Sequence, residues 1–183
     1  MKLKNVLFGI GAAMIGLGLN SCVSNDDDFV CIEDYTGALM DNETVMLGKW
    51  KLTAIVAEQE VDITNDNESN PKKDIYVQYS ECDQDADFTY ESNRAYTNTQ
   101  GQNMTGCTNK LKFTGSWKLT GNILSIVANC VTQNQEIEFN GDKSAYSFTS
   151  SFNISDVRGT TITTDVTFTY TKVVVDTDLE PAE

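Results

Sequence analysis

The sequence predicts an all-β domain of about eight antiparallel strands, and three observations support this. Apolar and polar residues alternate with a period of two through most of the chain after residue 47, as they do in half-buried strands. Short polar segments containing glycine or asparagine separate these runs, as hairpin turns do. No segment after residue 47 has the 3.6-residue period of an amphipathic helix. Periodicity alone leaves both a sandwich and an up-and-down barrel open.

The predicted strands follow one another in chain order. In the first strand, Trp50, Leu52, Ala54 and Val56 alternate with polar residues and are expected to share the core face. The later strands are expected at 75–79, 88–90, 95–99, 111–119, 123–128, 137–139, 146–154 and 162–170. A short helical turn is expected before them, within residues 38–46.

The N-terminus predicts export and a lipid anchor. Two lysines precede an apolar run at residues 5–19, which is shorter than the roughly 20 apolar residues that span a bilayer. The sequence LNSC at residues 19–22 resembles a bacterial lipobox, which is cut before a lipid-modified cysteine. Residues 1–21 are therefore predicted to be a signal peptide, and Cys22 the lipidated first residue of the mature protein. The alternative is a secreted protein in which Cys22 is a plain thiol.

An acidic segment follows Cys22. Residues 22–44 are predicted to be a tether and lead segment, and residues 176–183 an acidic tail. The sequence SNDDD at residues 24–28 resembles the acidic sorting tag of surface-exposed lipoproteins of Bacteroidota. This resemblance implies an outer-membrane protein that is lipid-anchored and exposed at the cell surface. The alternative is that the acidic run is only a solvated spacer.

Composition excludes several classes of function. The net charge of −14 repels nucleic acid, so no nucleic-acid partner is expected. The chain has no histidine, which removes the commonest general base, most catalytic zinc sites and every Ser-His or Cys-His nucleophile. The protein is therefore expected not to be an enzyme and to bind neither a metal nor a cofactor.

One acidic motif invites a calcium interpretation. Asp83, Asp85 and Asp87 have the spacing of a calcium-binding loop. Such a loop needs glycine at its sixth position and glutamate at its twelfth, which are Phe88 and Arg94 here. The motif is therefore interpreted as a solvated turn that enters a strand.

A repeated motif favours the barrel over the sandwich. The pattern Gly-x-Trp-Lys-Leu-Thr occurs at 48–53 and again at 115–120, and CDQDADFTY at 82–90 leads into a strand. Together they resemble the lipocalin-like surface lipoproteins of Bacteroidota over residues 45–175. The resemblance implies a lipocalin-like, eight-stranded up-and-down antiparallel barrel behind a lipidated tether, with the tryptophan of the motif at its closed end. The alternative is that Trp50 and Trp117 are ordinary core residues.

Four cysteines remain after Cys22, and an even number in an exported chain predicts two disulfides. The expected hairpins leave two pairings open, Cys82–Cys107 and Cys107–Cys130. The resemblance favours Cys82–Cys107, and Cys31 is then expected to pair with Cys130.

Two classes of function remain. The first is a binding module that holds a small apolar or glycan-like ligand inside the barrel. The second is a filled barrel that presents loops to a surface partner, whose identity the sequence leaves unknown. The volume of the interior cavity distinguishes the two. The side chains expected to line the barrel or a ligand are Trp50, Trp117, Phe148, Phe152, Phe168 and Tyr170.

Overall fold

The computed structural model of the protein describes residues 31–66 and 68–174. The predicted signal peptide, Cys22, the acidic run and the C-terminal tail lie outside the described residues. The strands are β1 (Gly48–Val61), β2 (Lys72–Asp74), β3 (Ala86–Tyr90), β4 (Ala95–Gln100), β5 (Leu111–Thr120), β6 (Ile123–Ala128), β7 (Val131–Glu136), β8 (Glu138–Phe139), β9 (Ala145–Ser155) and β10 (Thr161–Lys172). The helical segments are two 3₁₀ helices, Asp41–Met46 and Tyr76–Gln78, and one helical turn, α1 (Glu81–Gln84).

The strands form one antiparallel sheet that curves into a nearly closed barrel. Its order is β7-β6-β5-β4-β3-β1-β10-β9-β8, and β2 pairs with the second half of β1. Only Ile137 separates β7 from β8, so a single stretch of chain leaves β6 and joins β9. The path holds nine strands, whereas the resemblance implied an eight-stranded barrel. The prediction of an all-β, up-and-down barrel, which fits a lipocalin-like fold, is confirmed.

The buried face of β1 changes at a bulge. The register against β10 shifts between Leu52 and Ala54, so Ile55 and Ala57 become the buried residues. Val56 instead points outward and is 43% exposed. The prediction that Ala54 and Val56 continue the core face is wrong, because one extra residue in a strand reverses the alternation that follows it.

A second difference concerns residues 75–79, which were expected to form a strand. The structure has the short β2 and a 3₁₀ helix at this place. This segment covers the part of β1 beyond the residues that pair with β3. Gln78 holds the segment through side-chain bonds to the backbones of Val61 and Ile63. The Tyr76 hydroxyl donates to the carbonyl of Leu52 at 2.9 Å. Side-chain bonds therefore replace the ladder that a strand would have made.

The barrel has two different ends. At the closed end lie the 3₁₀ helix Asp41–Met46 and the turns that follow β3, β5 and β8. At the open end lie the turns after β6 and β9, α1 and the loop 101–110. The lead segment joins the two ends along the outside of β5, where Ser116 Oγ accepts from Tyr35 N and donates to Asp34. Within residues 31–66 and 68–174, no helix is both long and apolar enough to cross a membrane.

Candidate functional site

The two tryptophans of the repeated motif seal the closed end. Both are fully buried. Trp50 Nε1 donates to the carbonyl of Met46 at 2.8 Å, and Trp117 Nε1 donates to that of Glu91 at 3.0 Å. The Lys172 ammonium lies 5.3 Å from the Trp50 ring centroid, within the range of a cation–π contact. The closed end is therefore fixed by polar as well as apolar contacts.

A buried ion pair completes the closed end. Arg94 donates to Glu43 Oε1 and Oε2 at 2.8 Å each, which is a bidentate arrangement. Glu43 also accepts from the backbone N–H groups of Met40 and Leu119. The hydrogen bond from Arg94 contributes most to lowering the pKa of Glu43 to about 2. Sequence reasoning missed this pair, because its two residues lie 51 positions apart and no local pattern relates them.

The barrel interior is filled by aromatic rings. Phe148 stacks on Phe168 with 5.0 Å between ring centroids, and Tyr146 stacks on Tyr170 at 4.8 Å. Phe152 meets the edge of Phe168 at 5.6 Å. These side chains pack against one another, and the cavity among the surrounding residues has a volume of about 10 Å³. That space holds about one water molecule, not a ligand.

Among the described residues, the inward-facing side chains that are most exposed to solvent lie at the open end. Phe113 lies opposite Asn98 and is half-buried. Leu111 and Val131 are 36% and 52% exposed. Gln133 and Phe152 are half-buried on the strands that face each other there. The open end thus presents apolar and amide groups and carries no charge on this inner face.

A gap in the barrel wall continues from this end, and we call it the seam. It lies between β7 and residues 148–155 of β9, because β9 pairs with β8 only at Tyr146 and Ser147. Within the described part of the chain, β7 pairs with β6 and with no other strand. At the closed apex of the seam, the side-chain amide of Gln135 donates to the carbonyl of Glu136. The seam is therefore a wedge that opens toward solvent.

The aspartates at calcium-loop spacing have a structural role. Asp85 accepts from the backbone N–H groups of Asn103 and Met104 and from the Asn103 side chain. Asp87 accepts from Asn103 and pairs with Lys49 at 3.0 Å. Both carboxylates are buried, so the expectation of a solvated turn is wrong: the loop 101–110 covers them and supplies the donors. The described residues include no cluster of acidic, histidine or cysteine side chains that could hold a metal ion.

Two disulfides brace the open end. Cys82 is bonded to Cys107, which joins α1 to the loop after β4. Cys31 is bonded to Cys130, the residue before β7, which ties the lead segment to the rim of the seam. The prediction of two disulfides is confirmed. Cys82–Cys107 is the pair that the resemblance favoured, and Cys31–Cys130 is the pair that then remained.

Comparison with known proteins gives a family but no activity. A family model described as "Domain of unknown function (DUF5004)" matches residues 24–172, which is most of the 183-residue chain. No curated protein matches the chain. Neither result assigns a ligand, a partner or a reaction.

Proposed function

The chain belongs to the DUF5004 family, and from that premise we propose that it is a surface lipoprotein of Bacteroidota that acts as an interaction module. In this proposal Cys22 anchors it in the outer membrane and the barrel engages a partner through its open end. The chain has no catalytic task. The lack of histidine and the lipobox-like sequence at 19–22 support this proposal.

One observation carries the proposal: the interior is filled and the open end is not. The cavity of about 10 Å³ leaves no space for a ligand between the aromatic rings. Four exposed apolar side chains, Met104, Leu111, Val131 and Val157, lie on the loops and strands around the open end. Exposed apolar surface marks an interaction site where it is contiguous, and Leu111 and Val131 continue the inner face of the barrel to solvent. The barrel therefore serves as a rigid support for the loops and edges at its open end.

The lipid anchor has a direct test. We expect the mature protein, extracted from membranes, to lack residues 1–21 and to carry the added mass of a diacylated or triacylated Cys22. Two or more acyl chains are needed for stable membrane attachment. Intact-mass measurement checks this, with the Cys22→Ser variant as the unmodified control. A soluble product that starts at another residue contradicts the proposal.

The use of the open end is tested by photocrosslinking on living cells. A photoreactive phenylalanine replaces Val131 at the open end or, as the matched control, Asp142 in the exposed turn at the closed end. We expect a discrete crosslinked species from position 131 and none from position 142, because the exposed inner-face side chains of the described residues lie at the open end. Equal crosslinking from both positions, or crosslinking from position 142 alone, contradicts the proposal.

A small apolar or glycan-like ligand is the second candidate. The half-buried rings of Phe113 and Phe152, together with the Gln133 amide, favour it at the open end. Aromatic faces and amide groups are the chemistry by which proteins hold such ligands. The core residues Phe148, Phe168 and Tyr170 contact one another and leave no room for a ligand.

A further inference from the structure

The two sides of the seam carry unpaired backbone groups that point toward each other. On β9, Ala145 accepts from Asn140 N, and Ser147 pairs with Glu138. Backbone direction alternates along a strand, so the next residues with the same orientation are Thr149, Ser151 and Asn153. No described residue bonds to their N–H or C=O groups.

The facing edge of β7 follows the same rule. Ile137 N donates to Asn122 O on the β6 side, and Glu138 pairs toward β9. The residues of β7 with the orientation of Glu138 are Glu136, Asn134 and Thr132. The carbonyl of Glu136 is satisfied by the Gln135 side chain, which leaves the groups of Asn134 and Thr132 free among the described residues. The seam thus has a free hydrogen-bonding edge on each side.

These edges lack the devices by which proteins usually protect an unpaired strand. Charged side chains, proline and bulges normally block pairing with a foreign strand. β9 contains no charged residue and no proline over its eleven residues, and its register with β10 is continuous. The only charged residue of β7 is Glu136, which lies at the closed apex. The edge of β9 is therefore a suitable template for an added strand.

We propose that the seam binds an extended segment of a partner protein as an additional β-strand along β9, an inference that rests on the proposed function. An antiparallel strand gains the N–H and C=O groups of Thr149, Ser151 and Asn153 as partners. Its inward side chains meet Phe152, Ser150 and the Gln133 amide, so apolar or uncharged residues fit at alternate positions.

The charges at the apex select one end of this segment. Glu136 and Glu138 are both exposed beside the point where β7 and β8 meet. A strand antiparallel to β9 has its C-terminal end at this apex, because β9 begins there. Basic residues at that end complement the two carboxylates, and the net charge of −14 favours a basic partner at longer range. The partner segment therefore alternates apolar and polar residues and ends in lysine or arginine.

The probe is a fluorescein-labelled peptide of alternating valine and threonine that ends in two lysines. Its affinity for the full mature chain is measured by anisotropy for the wild type, Ser151→Pro and Ser151→Ala. The Ser151→Pro substitution removes a seam-facing N–H but leaves the β9–β10 ladder intact, since that ladder uses the even-numbered residues. Ser151→Ala keeps the N–H. We expect about tenfold weaker binding for Ser151→Pro and no change for Ser151→Ala, the effect of losing one backbone hydrogen bond.

Several outcomes overturn the inference. One is that the peptide does not bind to the wild type, and another is that it binds to Ser151→Pro as tightly as to the wild type. A third is that a control peptide binds as tightly as the probe although N-methyl groups replace the N–H groups that would face β9. A wild-type dimer that Ser151→Pro converts to a monomer also overturns it, because a second copy is then the occupant. If crosslinking from position 131 on cells persists in Ser151→Pro, the proposed function stands and the strand inference fails. Hydrogen exchange supplies a readout independent of affinity: the peptide should slow exchange at Thr149, Ser151 and Asn153.

Discussion

Replacing Arg94 by methionine is expected to lower the free energy of unfolding by about 3–5 kcal/mol. The substitution leaves Glu43, which is fully buried, without its cation and without two of its hydrogen bonds. Removing one partner of a buried pair leaves an uncompensated charge, and this accounts for most of the cost. Urea denaturation of the two proteins at neutral pH measures the difference.

The same pair predicts a pH dependence. Contact with Arg94 holds the pKa of Glu43 at about 2, below its ordinary value of 4.5. A lowered folded-state pKa means that the stabilisation is present above pH 4.5 and is lost as the pH falls from there toward 2. We expect Arg94→Met to lose less stability than the wild type across this window, by about 3 kcal/mol.

The matched control is Arg158→Met. Arg158 pairs with Asp156, but its side chain is 62% exposed, so the substitution should change stability by less than about 1 kcal/mol. Equal losses of unfolding free energy for the two arginine variants would contradict the conclusion that the Glu43–Arg94 pair stabilises the closed end.

Replacing Trp117 by alanine is expected to cost about 3–5 kcal/mol, the range for truncation of a large buried aromatic side chain. Trp117 is fully buried against Tyr90, and its indole N–H is bonded to the carbonyl of Glu91. We expect a comparable loss for Trp50→Ala, since Trp50 is also fully buried at the closed end and its indole N–H is bonded to the carbonyl of Met46. Denaturant unfolding measures both losses, provided that the slope of the unfolding free energy against denaturant concentration is the same for each protein.

The control for the tryptophan variants is Val77→Ala. Val77 is exposed in the 3₁₀ helix Tyr76–Gln78, so its truncation should change stability by no more than about 0.5 kcal/mol. A loss below about 1 kcal/mol for Trp117→Ala would show that the closed end is not a packed core.

Strands with one buried face and one solvent-exposed face could be predicted from the sequence. In β5, β9 and β10 the inward residues expected from alternation are the inward residues of the structure, because β5 keeps an unbroken register with β4 and β6, and β9 keeps one with β10. The one irregularity that β10 meets, against β1, places its extra residue in β1. The repeated Gly-x-Trp motif also located the closed end. Gly115 shows why the motif needs glycine there, since a β-carbon would lie 2.0 Å from the carbonyl oxygen of Val127.

The rest depends on interactions that a local pattern does not contain. The bulge in β1 inserts one residue without a sequence signal, which moved the core face from Val56 to Ile55. β7 turns Gln133 inward beside the seam, where it is half-buried. Asp85 is buried by Asn103, 18 residues away, and no periodicity relates the two. The candidate site consists of such features, so the sequence predicted the barrel but not the seam.

Xenon pressurisation of crystals of the protein distinguishes a filled aromatic interior, which leaves recognition to the open end, from an interior that binds a ligand. Xenon enters apolar cavities large enough to hold a small ligand. We expect no xenon among Phe88, Tyr90, Tyr146 and Phe148, where the cavity is about 10 Å³. An occupied xenon site among these rings would contradict this expectation and would restore the interior as the place where a small apolar ligand binds.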